Sequence, residues 1–74
     1  MSDRNARLNW IEAQMMKADF VSTDKGLDQL QAALTQDIDD ALYEVLISLG
    51  EHDDYTRRAA AVIEDRREAL RVMA

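Results

Sequence analysis

The sequence has no cysteine and no proline, and its 74 residues include only two glycines, Gly26 and Gly50. Without cysteine there is no disulfide framework and no thiolate zinc site. Two glycines and no proline cannot supply the many turns of a β-sandwich or barrel. There is no apolar run of the ~18 residues that a membrane span requires. The opening MSDRNARLNW lacks an apolar signal-peptide core, which predicts a cytoplasmic protein. A chain of this length makes one domain at most, here expected as a single helical domain over residues 1–74. A domain of this size hides only ~60% of its unfolded surface, so its stability is marginal.

Charge is plentiful and unevenly placed. The net charge is −6, from 15 acids and 9 bases. Residues 1–23 are neutral overall, residues 24–54 set nine acids against Lys25 alone, and residues 55–74 hold five arginines and three acids. An acidic middle repels phosphate, which argues against direct binding of nucleic acid.

Apolar periodicity predicts an all-α fold of three helices, over about residues 3–20, 24–49 and 55–72. In the first, Leu8, Ile11, Met15 and Ala18 share a face, while Trp10, Ala13, Met16 and Phe20 form a second stripe roughly opposite. Ser2 or Asp3 caps its start. The second carries Leu27, Leu30, Leu34, Ile38, Ala41, Leu42, Val45 and Leu49 on one face. Asp37, Asp39 and Asp40 are poor helix formers, but the unbroken apolar phase favours continuity through Thr35–Asp39. Gly50 suits the left-handed position that ends a helix, and Asp53 or Asp54 caps the third. That helix has Tyr55, Ala59, Val62, Ile63, Ala69, Leu70 and Met73 on its stripe, with Arg66 in the middle. Short connections make neighbours antiparallel. The expected architecture is a small up-down bundle whose long central helix is hairpinned with the C-terminal one.

Nothing in the chain reads as a catalytic or metal centre. His52 lies beside Glu51, Asp53 and Asp54, but consecutive turn residues do not converge on one ion, and there is no second histidine. A calcium loop opening at Asp37 would need glycine sixth and glutamate twelfth, where Leu42 and Ser48 stand. No G-x-S-x-G elbow or phosphate-binding glycine loop is present. Neither an enzyme nor any cofactor is expected. A helix-turn-helix reading around Gly50 sets Arg57 and Arg58 behind three acids, and places Thr56 where an apolar residue belongs. Arg66 is expected to reach along the core edge to an acid such as Asp37, or to face a partner.

The strongest functional signal is apolar surface in excess of what three helices bury. Tyr43 and Ile47 lie away from the leucine stripe, and Trp10, Met16 and Phe20 lie away from the stripe of the first helix. Aromatics and methionine are enriched at protein contacts. These five are the expected anchors, with Asp39, Asp40 and Glu44 as an acidic belt that steers a basic target. The expected partner is another protein, with a homodimer as a further way to cover the excess.

In size, acidity, helical content and lack of motifs the chain resembles small phage-encoded host-takeover proteins. These include anti-CRISPRs, quorum-sensing anti-activators and inhibitors of the type IV pilus assembly ATPase. The resemblance implies a protein that occupies a surface of a larger bacterial machine and inhibits or redirects it. Two alternatives stand beside it. One is a dimeric cellular adaptor. The other is a DNA mimic that presents Asp24, Asp28, Asp39, Asp40, Glu44, Glu51, Asp53 and Asp54 to a basic groove.

Overall fold

The computed structural model describes residues 3–73 and is all-α, as the periodicity predicts. Helix α1 covers Asp3–Met16 and tightens into a 3-10 turn over Lys17–Phe20; α2 covers Asp24–Tyr43 and α3 covers Leu49–Met73. Ser2, one of the expected caps of α1, lies outside the described residues. None of the described helices is long and apolar enough to cross a membrane.

Helix α2 is the hub of the fold. Both α3 and α1 pack against it, whereas α1 and α3 approach each other little. One apolar core joins the elements: Ile11, Met15 and Ala18; Leu27, Leu30, Leu34, Ile38 and Ala41; then Ile47, Ala59 and Ile63. The 3-4 spacing on α2 seats five residues on one line, so that stripe fills the bundle.

Thr23 starts α2. Its Oγ1 accepts the main-chain N–H of Gly26 at 3.0 Å, satisfying one of the first-turn donors. Gly26 is needed because the chain approaches closely here: a Cβ at this position would lie 2.8 Å from Val21 Cγ1.

Helix α2 runs unbroken through Thr35–Asp39 but stops at Tyr43, six residues short of the expected Leu49. The closure is a Schellman motif. Leu46 N–H donates to Ala41 O at 2.9 Å and Val45 N–H to Leu42 O at 3.0 Å, with Val45 in the left-handed region at φ 61°. Val45 therefore holds the position expected for Gly50, and Gly50 lies in the first turn of α3 with no positive φ. The cap of α3 is Ser48, not Asp53 or Asp54. Glu51 N–H donates to Ser48 Oγ at 3.1 Å, and Ser48 N–H donates to Glu51 Oε1 at 3.0 Å. This reciprocal pair is a capping box, and it starts α3 six residues earlier than expected.

The early stop has a packing reason. A continued helix would hold Ile47 one turn above Tyr43, pointing outward. Breaking it turns Ile47 inward, where it is 5% exposed, and packs Leu46 against the core. In exchange Val45 and Leu49, both expected in the core stripe, are exposed. The far end of α3 also departs from its expected stripe, since Ala69 and Met73 are exposed while Leu70 packs on the core.

Candidate protein-contact surface

Ion pairs and hydrogen bonds lock the helices together and consume the arginines. On the α1–α2 side, Arg7 pairs with Glu44 at 2.7 Å. Arg4 instead ties α1 to the start of α3, pairing with Glu51, and its Nε donates to Leu46 O in the turn at 3.1 Å. On the α2–α3 side, His52 meets Asp39 at 2.7 Å, and Arg67 bridges Asp24 at 3.1 Å and also Asp28. Arg58 reaches Glu12 at 3.3 Å. Arg57 and Arg71 pair within α3, with Asp53 at 2.9 Å and Glu68 at 3.4 Å. Each exposed pair contributes only ~0–1 kcal/mol. Their larger consequence is that no arginine face stands free.

Arg66 does not reach Asp37. Its Nε donates to the main-chain carbonyl of Val21 at 2.8 Å, which ties α3 to the connection before α2. Asp37 is engaged elsewhere: it accepts from Trp10 Nε1 at 3.1 Å and from Gln14 Nε2. Two charged groups depart from their ordinary values. The Ser48 main-chain N–H, aided by Arg4, holds the Glu51 carboxyl below the usual carboxylate value, against a smaller opposing effect of desolvation. The Asp28 hydrogen bond raises Arg67 further above its already high value.

The expected anchors fall into four groups. Met16 and Phe20 stand on the surface, Phe20 at 86% exposure. Tyr43 is 90% exposed at the other end of the bundle. Trp10 is a mixed case: half its surface is open, but its indole is bound to Asp37, and Lys17 Nζ lies 5.1 Å from its ring centroid. Ile47 is a core residue and leaves the set. Of the acidic belt, Asp39 is paired with His52 and Glu44 with Arg7, so Asp40 is the member without an ion pair among the described residues.

Two apolar features result. The first is an open groove of about 650 Å³ between α1 with its 3-10 turn and α3. Met15, Met16, Ala61, Val62 and Ala69 line it, and Asp19 and Asp65 stand on its rim. It exists because α2 holds both neighbours while alanines on α3 leave the space between them unfilled. The second is the α2–α3 turn, where Tyr43, Val45 and Leu49 are exposed together within seven residues of chain. Among the described residues no three His, Cys, Asp or Glu side chains are grouped to hold a metal.

Comparison with known protein families, with curated proteins and with solved structures gave no match.

Val45, Leu49 and the α3 side of the groove were not legible from apolar phase alone. One signal for the turn was present: Ser48-Leu49-Gly50-Glu51 is an S-x-x-E sequence, which marks a helix start at Leu49.

Proposed function

We propose that this chain is a non-catalytic protein-interaction module that binds a larger protein and inhibits or redirects it. The observation that carries this reading is Met16, exposed on the wall of an unfilled apolar groove between α1 and α3, with the exposed Phe20 four residues further along the chain. Helix-in-groove docking uses such a channel to take the apolar face of a partner segment. Arg58 and Arg66 on the rim are already engaged with Glu12 and Val21, while Asp19 and Asp65 have no ion pair among the described residues. The groove therefore favours an amphipathic helix with basic flanks. The resemblance to phage host-takeover proteins suggests a bacterial machine as the source of that helix.

A DNA mimic draws less support. Of the eight carboxylates it would present, six are paired to Arg4, Arg7, His52, Arg57 or Arg67. The test is capture from a bacterial lysate by immobilised chain, with mass spectrometry. Met16→Gln and Phe20→Ser should retain helicity and melting temperature and lose the captured protein, and the wild-type capture should survive high salt. Equal capture by the variants would remove the groove as the docking surface. Sedimentation equilibrium distinguishes the other expected occupant, a second copy.

A further inference from the structure

We propose that the α2–α3 turn is a second docking element, a convex apolar plug of Tyr43, Val45 and Leu49 that inserts into an apolar pocket with a basic rim on a foreign protein. This rests on the reading of the chain as a protein-interaction module.

The backbone supplies the first observation. Val45 occupies the left-handed position of the Schellman motif at φ 61°. Glycine, or sometimes asparagine, is the ordinary residue there, because a Cβ crowds the following carbonyl and a β-branched one crowds it most. Val45 gains no packing in return, since it is 86% exposed. Its branched side chain is a net burden on the isolated fold. Backbone strain of this kind clusters at functional sites. The second observation is its company. Tyr43 precedes it by two residues and Leu49 follows by four, at 90% and 76% exposure. The three lie within seven residues of chain on and beside a short, internally hydrogen-bonded turn, so little ordering is required on binding.

Shape and charge select the occupant. The molecule spans 42 × 22 × 14 Å, and the turn joins α2 to α3 over only five residues, 44–48. A self-contact confined to three side chains on this turn is small beside the ~800 Å² per partner that a stable interface buries. A concave pocket wraps the tip and reaches its flanks. The bases nearest the turn, Arg4 and Arg7, are held by Glu51 and Glu44. Asp40, one turn before Tyr43, and Asp54, one turn after Gly50, have no ion pair among the described residues. The free charge beside the plug is negative, so a basic rim complements it and a second copy repels it.

The test uses the full chain with Tyr43→p-benzoylphenylalanine as a photo-crosslinking probe in a bacterial lysate, and the same probe at exposed Gln29 as control. The expected result is one heterologous adduct at position 43 and not at 29. Once that protein is identified and purified, Tyr43→Ala and Leu49→Ala should each weaken binding roughly 10-fold or more. Val45→Gly should weaken it too while raising the melting temperature by a few degrees. An adduct of twice the chain's mass would mean that a second copy covers the tip, and overturns the proposal. So does Val45→Gly that melts lower than wild type, or that binds unchanged. If Met16 and Phe20 variants lose the captured protein while position 43 forms no adduct, the plug fails and the groove reading stands. If wild type captures nothing by either route, both fail.

Discussion

Trp10 and Asp37 are joined across the α1–α2 interface: the indole Nε1–H donates to Asp37 Oδ2 at 3.1 Å, and Gln14 Nε2 donates to the same oxygen. Gln14 is the one polar side chain within the core layer among the described residues. Asp37→Ala leaves its buried amide without that acceptor, which costs ~1–3 kcal/mol. In a domain of this size each kcal/mol shifts the melting temperature by roughly 4–8 °C. Asp37→Asn retains an acceptor and should fall between the two. Thermal melts followed by circular dichroism decide it, and an unchanged Asp37→Ala melt removes this link from the fold. Trp10→Ala should also melt early, so Trp10 is a poor probe of binding compared with Phe20 or Tyr43.

Arg66 and Arg67 are neighbours that should respond differently to salt. Arg66 bonds a neutral carbonyl in a half-buried position, whereas Arg67 reaches two exposed carboxylates. Arg66→Met keeps most of the stem and removes the bond to Val21, for an expected loss of about 1 kcal/mol or more. That loss should be the same at low and high ionic strength. Arg67→Met should cost less, and its cost should shrink as salt screens the wild-type pairs. If both variants show the same salt dependence, the Arg66 link to Val21 is not a stabilising contact.

Sequence periodicity located the core of α2 up to Ala41 residue by residue, because one face is buried; on α1 it left two apolar stripes, of which the Ile11, Met15 and Ala18 face is the buried one, and it missed Gln14. Leu27, Leu30, Leu34, Ile38 and Ala41 are all buried. The same logic failed between Tyr43 and Gly50. Phase alone cannot register a helix break when the residues beyond it keep the phase, as Val45 and Leu49 do. There a local device won over the pattern: the capping box of Ser48 and Glu51 starts a new helix, and the chain reversal gains burial of Ile47. The groove between α1 and α3 was less legible still. It depends on which pairs of helices pack, and Ala61 and Ala69 read equally well as small core residues or as its open wall.

Helix α2 should be where the fold is least tolerant. Leu34 and Ile38 are essentially inaccessible and sit between α1 and α3 in the shared core. Truncating either to alanine costs ~2–5 kcal/mol, and a single core of this size supplies only ~3–5 kcal/mol in total. Leu34→Ala and Ile38→Ala should therefore be largely unfolded at ambient temperature by circular dichroism. Phe20→Ala and Tyr43→Ala, on exposed positions, should melt within a few degrees of wild type. Core variants that melt like the surface pair would contradict the packing of α2.

The capping box should give the chain an acid-sensitive component of stability that can be assigned to one residue. Glu51 has its pKa lowered in the fold, first by the hydrogen bond from the Ser48 main chain and then by Arg4. A carboxylate with a depressed folded-state pKa stabilises the fold above its unfolded value, near 4.5. That stabilisation is lost as pH falls through the lower folded value. Glu51→Gln retains an amide oxygen that can accept from Ser48 N–H, but it does not titrate and does not pair with Arg4. Relative to this variant, wild type should be more stable at neutral pH, and the difference should close as pH drops below about 4.5. Ser48→Ala removes the Oγ acceptor for Glu51 N–H and should cost ~0.5–2 kcal/mol, a loss that persists at acid pH. Denaturant titrations of the three proteins from pH 7 to pH 3 separate these effects. Parallel acid limbs for wild type and Glu51→Gln would show that Glu51 carries none of the pH dependence.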